Sequence, residues 1–151
     1  MDRSQHLDQQ LCFALYTAAR TASAAYREGL AELGLTYTQY VTLLALWERD
    51  AQTVSELGEA LHLDSGTLSP LLRRLAAAGL VERRRDPGDE RRVSISLTDA
   101  GRALQPRACA LQGELAQRAN LTRAEAETLR SLAQRFSATT EVEGGAHPPS
   151  A

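Results

Sequence analysis

Hydrophobic spacing divides the chain into stretches of different period. From residue 8 to about 33, Leu11, Leu15, Ala18 or Ala19, Ala22, Tyr26, Leu30 and Leu33 recur at three- and four-residue steps. They keep one helical stripe, with Asp8 placed to cap it and Gly34 to end it. At 1.5 Å per residue the helix is roughly 37 Å long, more than a small domain needs internally, so part of it is expected to pack on a second subunit. Thr36 and Gln39 have the spacing of a capping box and open a second helix through Tyr40, Leu43, Leu44 and Trp47. Thr53 and Glu56 repeat that signature before a short helix, VSELGEAL, ending near Leu61. His62, Leu63 and Asp64 then turn the chain into a helix from Ser65 to Ala78. Its apolar positions Leu68, Leu71, Leu72 and Leu75 share one face, and Gly79 stops it.

After Gly79 the period changes to two. Leu80 to Arg84 and Arg92 to Leu97 are short enough for strands, and Val93 to Leu97 alternates apolar and polar. Asp86, Pro87, Gly88 and Asp89 between them form a turn cluster. The result is a hairpin with one buried face and an arginine-rich tip. Thr98 or Asp99 caps a helix predicted to reach Ala119, with a bend expected where Pro106 and Gly113 interrupt it. Thr122 and Glu125 form a third capping box, opening a last helix with Leu129, Leu132, Ala133 and Phe136 on one face. Beyond about Glu141 the segment EGGAHPPSA lacks apolar residues for a core, and a tail over 142–151 is expected to be disordered.

Two helices joined by three or four residues, the second followed by a basic hairpin, have the order of a winged helix-turn-helix. The predicted fold is mainly α with a small β-hairpin wing. One domain is expected over 1–141, with a DNA-binding lobe at 36–98 and dimer-forming N- and C-terminal helices at 8–33 and 99–141.

Charge sharpens this picture. The chain carries a formal net charge of -2, yet residues 73–92 hold seven arginines against four acids, a local balance of +3. All 17 basic residues are Arg, so every cation can make planar, bidentate contact with phosphate or a guanine edge. Charge alone is equally compatible with a solvated surface hairpin; the helix pair beside it favours a nucleic-acid surface. Ser65, Thr67, Ser69 and Arg73 are the polar groups nearest the N-terminal half of the second helix, the part that reaches base edges. Arg74, Arg84 and Arg85 extend the basic surface. Pro70 breaks the local rule for a helix interior, so the helix either starts late, near Thr67, or bends there.

The totals, 151 residues with 43% hydrophobic and 24% charged, suit a single globular domain. No apolar run approaches the ~20 residues of a membrane span, and the N-terminus lacks the apolar core of a signal peptide, so a cytoplasmic location is expected. Cys12 and Cys109 are too few for a disulfide framework, and the three histidines show no metal-ligand spacing. No cofactor is expected.

The run VSELGEALHLDSGTLSPLLRRLAAAGLVERRRDPGDERRVSISLTDAGRAL, with Asp89 and Arg91 in the wing and Thr98, Asp99 and Gly101 after it, resembles the MarR-type winged-helix regulators. The resemblance extends from Leu7 to Phe136. A narrower one, to the organic hydroperoxide resistance regulators, is carried by LDQQLCFALYTA around Cys12, by LGLTYTQY and by LDSGTLSPLL. It implies that Cys12 is a peroxide-sensing thiol and that Tyr16 and Tyr26 hydrogen-bond its thiolate, some across a dimer interface. It also implies a homodimer on double-stranded DNA with an inverted repeat, with Arg91, held by Asp89, in the flanking minor groove. An organic hydroperoxide would be the inducer and a small cellular thiol the partner of the oxidised cysteine. Two-cysteine members use a second cysteine of the partner subunit, farther along the fifth helix than Cys109; Cys109 is a possible resolving thiol, with a packed structural cysteine as the alternative.

Spacing supports the sensor. Cys12 and Tyr16 are one turn apart, and Tyr26 returns to within about 40° of Cys12 at 100° per residue. With Asp8 as cap, Cys12 sits in the first helical turns, where backbone dipoles favour a thiolate. Without the family, a lone Cys on an apolar face is more often a small buried hydrophobe. The competing readings are a repressor relieved by a small aromatic ligand, with Cys12 structural, and a thiol peroxidase. The peroxidase would need an activating Arg and Thr or Ser near the Cys.

Overall fold

The computed structural model describes residues 6–86 and 89–140, with the backbone alone at 86, 89–92, 114–118 and 139–140. The expected turn at Pro87 and Gly88, and the tail at 142–151, lie outside the described residues. Helices α1 (Leu11–Glu32) and α2 (Tyr37–Glu48) lead to strand β1 (Gln52–Thr53), then α3 (Val54–Leu61) and α4 (Ser65–Ala77). Strands β2 (Val81–Asp86) and β3 (Asp89–Leu97) follow, then α5 (Asp99–Ala103), α6 (Gln105–Arg118) and α7 (Arg123–Thr140). The architecture is mainly helical with a small antiparallel sheet, as the spacing predicts. Two compact units divide near Leu115, and α7 belongs to the second.

The expected capping boxes form. Thr36 and Gln39 exchange hydrogen bonds at the head of α2, Thr53 and Glu56 at α3, and Thr122 and Glu125 before α7. Gly34 and Gly79, at φ +69° and +71°, end α1 and α4, letting Leu35 N–H reach the Leu30 carbonyl and Leu80 N–H the Leu75 carbonyl. Asp8 does not cap α1. Leu7–Gln9 form a separate 3-10 turn, and the extended backbone of Gln10 parts that turn from the helix, so the Asp8 carboxylate is out of reach of the first α1 amides.

Four further departures have local causes. The helix expected over 99–119 is two helices that break at Leu104, and Pro106 sits second in α6, where a missing N–H costs nothing. α6 runs unbroken through Gly113. α4 begins at Ser65 with Pro70 inside it, so the late start at Thr67 does not occur. A third strand, β1, pairs with β3 at Gln52↔Ile95 and Thr53↔Ser94, giving the order β1-β3-β2. Two residues carry too little alternation to be read as a strand.

The core lies under the helix-turn-helix. Leu68, Leu71, Leu72 and Leu75 of α4 meet Leu43 and Leu46 of α2, Leu57 of α3, and Val81, Ile95 and Leu97 of the sheet. Each buried leucine contributes about 2 kcal/mol of gross transfer energy. Together they fix which side of α4 faces outward.

Candidate nucleic-acid interface and thiol site

The outward face of α4 follows from its buried face. At about 100° per residue, the line opposite the four leucines runs through Gly66, Pro70, Arg73 and Ala77, with Ser69 and Arg74 beside it. Arg73 and Arg74 are exposed, whereas Ser69 and Pro70 are half-buried. Ser65 and Thr67 fall on the margins of this face. Thr67 also closes the head of the helix, where Asp64, the N-cap, accepts its backbone N–H at 2.9 Å and its hydroxyl at 2.9 Å. Those bonds hold the Asp64 carboxyl below the usual aspartate range. Gly66 was missed by the sequence reading, which sought polar groups. A projection centred opposite the leucines finds it, as the one place on the outward line with no side chain.

His62 makes the turn between α3 and α4 in the left-handed region, at φ +53°, and Leu63 N–H returns to the Gly58 carbonyl at 2.9 Å. A Cβ on Gly58 would come within 2.9 Å of the Leu63 carbonyl oxygen, so glycine there permits the tight turn.

In the wing, pairing sets Val81, Arg83 and Arg85 against Leu97, Ile95 and Val93, and Glu82 and Arg84 against Ser96 and Ser94. Neighbours in a strand project to opposite faces. Arg84 and Arg85 are therefore on opposite sides of the strand. Arg84 is occupied by Glu82, its Nε and Nη2 donating to Oε1 at 2.8 and 2.6 Å. Arg83, one of the seven arginines of residues 73–92, shares its face with Arg85, and both are exposed. Asp89 and Arg91 lie on β3, but their side chains lie outside the described residues.

The base of the wing is anchored. Thr98 caps α5 and donates its hydroxyl to the Gly79 carbonyl at 2.6 Å. A Cβ on Gly101 would run into the Leu80 carbonyl, so α5 lies directly against the entrance to β2. Trp47 Nε1 donates to the Gly101 carbonyl at 3.0 Å, joining α2 to the same point.

Cys12 is the second residue of α1 and is exposed, so it is not a small buried hydrophobe. Tyr16, one turn on, is 54% exposed, and its hydroxyl accepts from Arg20 at 3.3 Å. Tyr26 is elsewhere. Its ring packs 5.5 Å from both Tyr37 and Tyr40, and fourteen residues put it about 21 Å along the helix from Cys12. One chain therefore brings Cys12 near Tyr16 but not Tyr26. Burial raises the hydroxyl of Tyr26, helped by the neighbouring Tyr37.

Tyr40 is 1% exposed, and burial pushes its hydroxyl up to about 12. Cys109 and Gln112 of α6 are near enough to influence it, yet no hydrogen bond of good geometry reaches the oxygen. Cys109 is exposed and belongs to this aromatic end of α1, so within one chain it is far beyond the 7 Å Cα separation a disulfide with Cys12 allows. Leu7, Leu11 and Phe13 are also exposed, as are Leu121, Leu129, Leu132 and Phe136 in the second unit.

A reader helix, a turn helix before it and an anchored basic wing define a winged-helix DNA-binding regulator, and the MarR family model matches residues 35–93. The organic hydroperoxide resistance transcriptional regulator of Bacillus subtilis is 43% identical over 126 residues, covering 83% of this chain and 84% of that protein. The chain belongs to the MarR family. TtmR of Methylorubrum extorquens is 58% identical over 69% of this chain, which spans about half of TtmR, 53%. AbfR of Staphylococcus epidermidis, solved reduced and bound to DNA, matches with TM-score 0.76 and 33% identity over 93% of this chain and 97% of AbfR. A disulfide form of AbfR matches with TM-score 0.63 over 86% and 92%. The chain is thus a DNA-binding transcriptional regulator, and the two curated relatives are named as regulators, not enzymes. Among the described residues no helix is long and apolar enough to cross a membrane.

Proposed function

We infer that the chain is a repressor that binds its operator as a homodimer and lets go when an organic hydroperoxide oxidises Cys12. The carrying observation is an exposed thiol in the first turn of α1, set among the exposed side chains of Leu11, Phe13 and Tyr16. Apolar side chains left uncovered in one chain are the surface a second copy would bury, together with the exposed face of α7. A group added to Cys12 then changes the interface itself. The AbfR forms, reduced on DNA and disulfide-bonded, support such a redox response.

In this reading α4 enters the major groove with Arg73 and Arg74 outward, and Ser65, Thr67, Ser69 and Pro70 at its N-terminal half. The wing, with Arg84, Arg85 and Arg91 held by Asp89, follows the flanking backbone and minor groove. Half-sites of an inverted repeat lie about 34 Å apart, one helical turn. The thiolate attacks the distal peroxide oxygen; the O–O bond breaks, the alcohol leaves and the sulfur becomes sulfenic acid. A small thiol then condenses with it, releasing water and leaving a mixed disulfide. Tyr26 acts from the partner subunit, since its own chain holds it far from Cys12. Cys109, remote from Cys12 in one chain, could resolve it only across the dimer; a small thiol is the proposed partner.

Tyr40 favours a second reading. A buried hydroxyl without a well-aligned hydrogen-bond partner, inside an aromatic cluster, could serve a small aromatic ligand that relieves repression with Cys12 structural. Operator binding by wild type and Cys12→Ser, on DNA upstream of the protein's own gene, before and after organic hydroperoxide plus a small thiol, separates the two. Release by the wild type alone, reversed by reductant, supports the sensor. Release by both, or by neither, refutes it.

A further inference from the structure

The end of β3 is hydrogen-bonded by an ion pair where a strand would otherwise continue. β1 pairs with β3 at Thr53↔Ser94 and Gln52↔Ile95, so continuing the register would set Asp50 against Leu97. Ala51, at φ +58°, turns the chain out of that register. The Asp50 side chain takes over: its Oδ1 accepts the Leu97 N–H at 2.9 Å and the Ala51 N–H at 2.8 Å. Arg102 of α5 serves the other half, its Nη1 donating to the Leu97 carbonyl at 2.6 Å and its Nη2 to Asp50 Oδ2. Donor and acceptor of Leu97 are both met by side chains 47 and 5 residues away.

Asp50 and Arg102 are both partly exposed, and surface pairs of this kind add little to stability. Their geometry has another effect. The pair ties the base of the wing to α5, while Trp47 ties α5 to α2. α5 leads into α6, and α6 meets α1 so closely at Leu111 and Gly29 that a Cβ on Gly29 would overlap the leucine. The wing is thereby linked to the long helices by groups other than the four leucines of α4 and the arginines of α4 and the wing.

We propose that Arg102 is a positioning residue for DNA binding: with Asp50 it fixes the pose of the wing beside the α3–α4 reader. This rests on the reading that the wing touches DNA, and the test keeps the two apart. Operator affinity, hydroxyl-radical footprint and unfolding temperature are measured on the full chain for wild type, Arg102→Met, Arg102→Lys and Arg85→Ala. Arg123→Met, which breaks an exposed pair with Glu127 on α7, is the control.

Arg102→Met is expected to weaken operator binding about tenfold, the scale of one lost base-pair preference. Protection of the flanking minor groove should disappear while major-groove protection stays. Arg102→Lys, with one donor centre for two acceptors, should fall between, and Arg123→Met should match wild type. Full affinity with an intact footprint in Arg102→Met overturns the proposal, as does a loss no larger than the change in folded fraction. If Arg102→Met does not fold, Arg102→Lys decides: wild-type affinity and footprint refute the idea, and an intermediate loss at an unchanged unfolding temperature supports it. Unchanged flanks in Arg85→Ala would instead refute wing contact. Lost flanks in Arg85→Ala beside an unaffected Arg102→Met refute positioning alone.

Discussion

Replacing Gly101 by Ala sets two effects of opposite sign against each other. Gly101 is the third residue of α5, and its φ is not among the positive values, so alanine suits the backbone. Helix propensity alone predicts about 1 kcal/mol of stabilisation. Space predicts the reverse. The new Cβ would stand 3.1 Å from the Leu80 carbonyl carbon, 3.2 Å from Leu97 Cδ2 and closer still to the Leu80 oxygen, whereas non-bonded atoms are comfortable at about 3.5–4.0 Å. The obstacle is largely backbone, so α5 must retreat. Overpacking of this kind costs about 1–3 kcal/mol. Retreat also stretches the Trp47 bond to the Gly101 carbonyl, and a stranded indole N–H costs about 1–3 kcal/mol more. The expected net loss is about 2–4 kcal/mol, or roughly 5–15 °C in Tm for a domain of this size. Trp47 is the single tryptophan in the chain, so its fluorescence during urea unfolding reports on this junction. Both proteins should be compared at one concentration, because association shifts apparent stability. An alanine variant as stable as wild type, or more so, would refute the close approach of α5 to the wing.

Two further outcomes follow from single side chains. Tyr40→Phe removes a buried hydroxyl that lacks a good partner, so urea unfolding should show a gain of about 1 kcal/mol; a loss would mean the oxygen is hydrogen-bonded after all. Asp64 titrates below its ordinary value of 3.8 in the folded state, so its contribution is present at neutral pH and fades as pH falls through that lower folded value. In Asp64→Asn the cap persists without the charge, and the stability difference from wild type should shrink on acidification below about pH 4. A difference independent of pH would count against the carboxylate's role.

The elements were legible where one local rule decided them. Capping boxes at Thr36, Thr53 and Thr122, and glycine stops at Gly34 and Gly79, involve atoms a few residues apart, so their spacing survives in the sequence. The leucines of α4 name its buried face by period alone. Asp8 misled because a cap must stand at the start of the helix it serves, and the extended Gln10 ends the turn holding Asp8 before α1 begins. That Arg84 and Arg85 fall on opposite faces, with Arg84 held by Glu82, is a matter of strand pairing that composition does not record.

The sequence by itself determined the order of helices, turn and hairpin, the basic local charge, and the resemblance to the MarR-type regulators. These rest on period, caps and charge, all of them short-range. Tertiary structure decided the rest: that Tyr26 joins the Tyr37–Tyr40 cluster at a distance from Cys12, that Cys12 is uncovered, and that Asp50 reaches Arg102. Such relations join residues up to 52 positions apart. Their geometry comes from burying leucines against a sheet and filling the backbone hydrogen bonds at its edge, and no spacing along the chain encodes that.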